Sequence, residues 1–320
     1  MPAAHRSLII RLLSRFNYAQ KFLIISLLFG ISILVSAYFM IAAQNTSIRF
    51  AEKELIGNRY QRTLRKLLEA LPEHKLLVYD QLTNRANVKA DMINLETEIR
   101  GVFKSLIAMN NEVQDSMGTT PLTMQTRTSS TSLQAAELEK KWDDLVKHIF
   151  ELSPEASSTL HDQLIAEIQG LSLYIAETSN LILDPEINSY YLVYSSLYEL
   201  PELQAWIPQL TMLGESLLSK KDATLEEKIE AIGLIALIRH NTDILKNTSD
   251  KLTELVKTGH FNLEFQGKLR ELTRQYIESV NDFLSYTENY IIKPEEKTGT
   301  NTEYLALSTR AIHGSFALGD

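Results

Sequence analysis

Six residues gather around one interruption in a helical pattern: Ser179, Asn180, Asp184, Asn188, Tyr190 and Tyr191. Asp184-Pro185-Glu186 reads as a helix start placed inside an otherwise continuous apolar stripe. An aspartate there accepts hydrogen bonds from free N–H groups, proline fits the first helical turn, and glutamate favours the positive end of the dipole. A helix opened in mid-course presents unpaired N–H groups and partial positive charge, which together can hold a small anion. The same residues also have a purely structural use. Asp184 then only caps, and Tyr191 and Tyr194 are core aromatics whose hydroxyls reach water. Residue types alone leave both readings open.

Other chemistry is hard to find. The chain contains no G-x-x-x-x-G-K-[ST], G-x-G-x-x-G, H-E-x-x-H or G-x-S-x-G pattern. It has no cysteine, which excludes disulfides, thiolate metal sites and cysteine nucleophiles. Histidines stand at 5, 74, 148, 161, 240, 260 and 313, no two at ligand spacing, and are expected at the surface or at caps. Neither a metal set nor a cofactor is expected, and no catalytic centre is visible. A formal charge of −8 argues against nucleic acid as a partner.

The elements that would position the six residues are helices. Phe22–Ala43 carries no charge, and about 20 apolar residues suffice to cross a bilayer. Arg6, Arg11, Arg15 and Lys21 precede it without an acidic residue, so residues 1–21 read as a cytoplasmic basic tail, 22–43 as a membrane span, and 44–320 as the translocated portion. The run is too long for a signal-peptide core, and Met40-Ile41-Ala42-Ala43 is a poor cleavage site.

Beyond the span, Arg49–Leu71 continues outward as one long helix with Leu64, Leu67 and Leu71 on a side that a second copy is expected to cover. Pro72 is expected to kink or end it. Met92, Leu95, Ile99, Val102, Leu106, Met109 and Val113 recur at steps of three and four, the mark of a packed helix face. Gly118–Ser132 reads as a loop. Ser153-Pro154-Glu155 and Thr224-Leu225-Glu226-Glu227 read as helix starts, the latter a capping box. Further stripes run through Leu164–Ile182, Ile235–Leu252, Leu269–Phe283 and Tyr304–Ala317, with Gly259 closing one helix. No stretch alternates long enough for a strand. The expected fold is all-α: one N-terminal transmembrane helix, then an elongated helical-bundle region of two stacked bundles, with sub-modules 44–117 with 221–320, and 118–220.

Two stretches carry a resemblance. FNYAQKFLIISLLFGI at 16–31, with EKELIGNRYQRTLRKLLEALPEHK at 52–75, resembles the membrane-proximal first helix of bacterial methyl-accepting chemotaxis proteins and related membrane sensor histidine kinases, including Glu54, Gly57, Tyr60 and His74. SNLILDPEINSYYLVYSSLYELPEL at 179–203 is similar to a Ser-Asn-Leu-x-Leu-Asp-Pro, Ser-Tyr-Tyr, Leu-Pro pattern of the same sensors. Residues 76–155 match only in helical character. The resemblance implies the ligand-sensing region of a receptor in a bacterial inner membrane, with its bulk in the periplasm. It implies a homodimer, and a small ligand such as an amino acid, organic acid or amine held near Ser179, Asn180, Asp184, Asn188, Tyr190 and Tyr191. Such proteins continue into a second span, a HAMP linker and an output domain, so it also implies that this chain is a fragment or a truncated product. Lys75 and Thr211 depart from positions that are often arginine or basic in the family, so a ligand held there is not expected to be shared. The alternative from a different class is a membrane-anchored helical scaffold or adaptor without a ligand.

Overall fold

The computed structural model describes residues 16–83, 88–120, 133–183, 187–220, 224–255, 263–293 and 299–319. All regular structure among them is helical. In chain order the helices are α1 (Tyr18–Leu82), α2 (Lys89–Met117), α3 (Ala135–His148), α4 (Pro154–Thr178), α5 (Ile187–Tyr194), α6 (Leu200–Ser219), α7 (Leu225–Leu255), α8 (Leu263–Tyr286) and α9 (Asn301–Gly319). Short 3₁₀ turns lie at Ile149–Glu151 and Leu181–Leu183, and π-turns at Ser195–Glu199 and Thr287–Ile292. Residues through Lys53 form one compact unit and residues from Glu54 a second.

In the first unit, α1 is the one helix among the described residues that is long and apolar enough to cross a membrane. Its most apolar stretch has no side chain buried within the protein. In the second unit the same helix changes character, and Tyr60, Leu64, Leu67 and Leu71 are fully buried. This corrects the expectation that a second copy covers Leu64, Leu67 and Leu71, since α2 and α4 of the same chain already do. Tyr60 Oη donates to Asn110 Oδ1 at 3.1 Å, and Gln61 Nε2 donates to the Ser172 carbonyl at 2.6 Å. Pro72 does not end the helix either, for α1 runs on to Leu82. A proline inside a helix costs one hydrogen bond and roughly 3 kcal/mol. Here Leu71, His74, Lys75 and Val78 are buried around it, and that packing holds the turn.

Among the described residues, two large apolar cores organise the second unit, with a small third one at Val78, Met92 and Ile149. The first joins Tyr60, Leu64, Leu67 and Leu71 of α1 to Ile99 and Phe103 of α2, Trp142 of α3, and Ile168 and Ile175 of α4. The second joins Leu203 and Leu210 of α6, Ile235 and Ile238 of α7, Val280 and Phe283 of α8, and Tyr304 of α9. Residues 118–220, grouped as one sub-module by sequence, therefore divide between the two cores at the helix break near residue 180.

Local signals account for several helix ends. Ser153 caps α4, its Oγ accepting from Ala156 N–H at 3.1 Å, with Pro154 in the first turn. The Thr224/Glu227 capping box closes reciprocally: Glu227 N–H donates to Thr224 Oγ1 at 3.2 Å and Thr224 N–H to Glu227 Oε2 at 3.0 Å. Gly118, at φ 65°, ends α2 in the left-handed region that glycine enters most readily. Gly259 and residues 121–132 of the expected loop lie outside the described residues.

Candidate functional site

The helix break is real, and a second residue makes it. α4 ends at Thr178, Ser179 is its C-cap, and Asn180 adopts φ 66°, the only positive φ of a non-glycine among the described residues. Asparagine tolerates this conformation better than other side chains with a Cβ, which is why it recurs just past helix ends. Asp184, the expected cap of the next helix, lies outside the described residues.

Ser179 is fully buried against α1. The approach is so close that a Cβ on Gly57 would lie 2.2 Å from Ser179 Oγ and 2.4 Å from Ser179 Cβ. Gly57 therefore lets α1 and the break touch. Asn188 lies in α5, and its side chain is outside the described residues. Tyr190, Tyr194 and Tyr198 form a stacked ladder with ring centroids 6.0 and 5.3 Å apart, each more than a third exposed. Tyr191 is half-buried with Lys251 Nζ 5.7 Å from its ring centroid. Tyr194 is thus not the core aromatic that its place in the stripe suggested. Tyr190 and Tyr191 pack edge-on at 5.6 Å between ring centroids, while Ser179 lies apart against α1, so the three do not gather around one cavity.

The neighbours of these residues do form one. A cleft of about 730 Å³ is walled by Asn58, Gln61, Arg62 and Arg65 of α1, Leu181 beside the break, Leu192, Val193, Ser196 and Leu197, and Phe265, Lys268, Leu269 and Leu272 of α8. Its volume lies in the range of small-molecule sites, about 300–1,000 Å³. The lining is apolar apart from a few amides and hydroxyls and three cationic side chains. The Gln61 amide and Ser172 close the back of it reciprocally, since Ser172 Oγ also donates to Gln61 Oε1 at 2.6 Å. At the π-turn, Glu199 is buried and accepts from Ser195 Oγ at 2.7 Å and Thr248 Oγ1 at 2.9 Å. Those two bonds satisfy a carboxylate that would otherwise be costly to bury. Pro201, in the turn that follows, has no N–H to continue the α ladder, and π-turns inside helices are frequent at functional sites.

A buried histidine pair lies in the first core, and sequence gave no warning of it. His74 and His161 are fully buried, contrary to the expectation of surface or capping positions. They are 87 residues apart, so no spacing could have linked them. His161 Nδ1 donates to the Ser157 carbonyl at 2.8 Å, because that oxygen can only accept. Its Nε2 therefore accepts from His74 Nδ1 at 2.9 Å. His74 Nε2 then faces Glu96 Oε1 at 3.5 Å, and Trp142 stacks edge-on against the His74 ring at 4.8 Å. Burial depresses both rings, His74 to about 3, with His161 beside it adding to the effect, and His161 to about 4. Burial raises the Glu96 carboxyl, partly offset by Arg100. A neutral imidazole pair fits a dry core.

The two positions that depart from the sensor pattern are engaged with the chain itself. Lys75 Nζ donates to Asp162 Oδ1 at 2.6 Å, and Thr211 Oγ1 donates to the Ile207 carbonyl at 2.8 Å beside Ser308. Arg239 is paired with Glu288 at 3.1 Å, and neither lines the cleft. Among the described residues no three His, Asp or Glu side chains group as a metal site.

The cleft could have been glimpsed in sequence only as a polar stripe, Asn58, Gln61, Arg62 and Arg65, running opposite the buried leucines of α1. Nothing in that stripe says what faces it. No family model matches this chain, and no curated protein or solved structure matches it significantly.

Proposed function

We propose that the chain is the ligand-sensing region of a bacterial transmembrane signal transducer, anchored by the apolar part of α1. The portion after the anchor lies in the periplasm, and two stacked bundles work as a homodimer. The observation that carries the reading is the cleft, because its walls are α1 on one side and the helices following the break on the other. A ligand that binds one arrangement of those walls better than another shifts α1 relative to its neighbours, and only such differential binding can do so. Gly57 lets α1 and the break touch, and Asn180 with the π-turn gives the opposite wall two places where its backbone geometry departs from a regular helix.

The test is a thermal-shift screen of the full chain in lipid nanodiscs against amino acids, organic acids and amines. A ligand at one hundred times its dissociation constant adds about 2.7 kcal/mol to the folded state. A compound that raises the melting temperature, and no longer does so after Leu197→Trp fills the cleft, supports the reading. Should no compound in the screen raise it, the membrane-anchored scaffold without a ligand becomes the better account.

A further inference from the structure

We infer that the cleft takes an amphiphilic anion, a single carboxylate or phosphate head on a hydrocarbon tail. The inference rests on the sensing reading of the same cleft and adds the chemistry of its ligand. Among the described residues, the charged side chains that line the cleft are Arg62, Arg65 and Lys268, all basic, in a chain with 40 acidic residues, 32 basic ones and a net charge of −8. A second cavity in the same unit, lined by Glu278, Asp282 and Arg310, shows the mixed signs expected of an ordinary surface in such a chain. The three cations come from two separate walls, α1 and α8. Like charges gathered over apolar surface concentrate a positive potential. An anion is drawn to that potential, and guanidinium groups grip carboxylate and phosphate oxygens in pairs.

The remaining walls exclude a merely hydrophilic anion. Leu192, Leu197 and Leu269 offer hydrocarbon surface that a small dicarboxylate cannot use. The cations, in turn, have no use for a neutral hydrocarbon. Only a ligand with both parts matches both linings. A fatty carboxylate and the acidic head of a phospholipid share that chemistry.

Isothermal titration of the full chain in phosphatidylcholine nanodiscs tests this, with empty nanodiscs as the blank. Octanoate, decanoate and dodecanoate should bind at one site and tighten by up to about fourfold per methylene. Decanol and decyltrimethylammonium should bind at least tenfold more weakly than decanoate. Arg62→Gln with Lys268→Gln should weaken decanoate at least tenfold while leaving the melting temperature of the unliganded chain in place, since both side chains are exposed. Competition by soluble dihexanoyl phosphatidate assigns the site to a lipid head, and its failure to compete assigns it to a free carboxylate. Equal binding of decanoate and decyltrimethylammonium overturns the inference. Binding of succinate or an amino acid without binding of decanoate overturns it too, but leaves the sensing reading in place. If neither these probes nor the metabolite screen yields a ligand, both fall.

Discussion

Gly57→Ala should destabilise the protein, although the same change elsewhere in its helices should stabilise it. Alanine is favoured over glycine inside a helix by about 0.8–1.0 kcal/mol. At Gly101 on α2 a new Cβ meets nothing within 4 Å, so Gly101→Ala should gain about that amount. At Gly57 the new Cβ would lie 2.2 Å from Ser179 Oγ and 2.4 Å from Ser179 Cβ. The hydroxyl can rotate, but the Cβ of a fully buried residue moves only with its backbone. Overpacking a filled core costs about 1–3 kcal/mol, and an overlap with a backbone-fixed atom belongs at the upper end. Against the helix gain, the net loss is about 2 kcal/mol. Denaturant unfolding of the full chain in nanodiscs, followed by circular dichroism, measures it. Ser179→Gly removes both opposing atoms and should rescue Gly57→Ala, leaving only Leu181 Cδ1 at 3.0 Å to give way. If Gly57→Ala is as stable as Gly101→Ala, or Ser179→Gly fails to rescue it, the close approach of α1 to the helix break is wrong.

Three further outcomes test the buried histidine pair and the proposed topology and dimer. The imidazoles of His74 and His161 bind protons less readily than the usual 6.5, so the unfolded chain takes them up first as pH falls; their contribution is complete above about 6.5 and is lost progressively toward pH 4. Each ring should cost about 2 kcal/mol at pH 5, with Glu96 working in the opposite direction because its carboxyl is raised, and melting between pH 7.5 and 5 should flatten in His74→Phe with His161→Leu; an unchanged slope would falsify the buried neutral pair. The proposed topology predicts that alkaline phosphatase fused after Asp320 is active and β-galactosidase inactive, and that the mass of the embedded protein is that of two chains. The reverse fusion pattern, or a single-chain mass, would remove the corresponding part of the proposal.

Helical content, the apolar part of α1 and the caps at Ser153 and Thr224 were legible in the sequence because each rests on neighbours a few residues apart. Period, composition and capping chemistry act over one or two turns, and no distant residue has to be known to read them. The leucines Leu64, Leu67 and Leu71 were equally plain as a buried face, but not what buries it, since a periodic stripe fits a second copy as well as α2 and α4. That Pro72 does not end the helix was hidden for a related reason: its local cost is real, and the packing of His74, Lys75 and Val78 that offsets it comes from other helices. The break near Asn180 was visible as an interruption, while the close contact of its Ser179 with Gly57, 122 positions away, was not. The same holds for His74 and His161, and for a cleft whose cations come from α1 and α8. Sequence determined which segments fold into helices and which faces are apolar. Only the tertiary structure decided which faces meet, because packing joins residues whose separation along the chain carries no periodic signal.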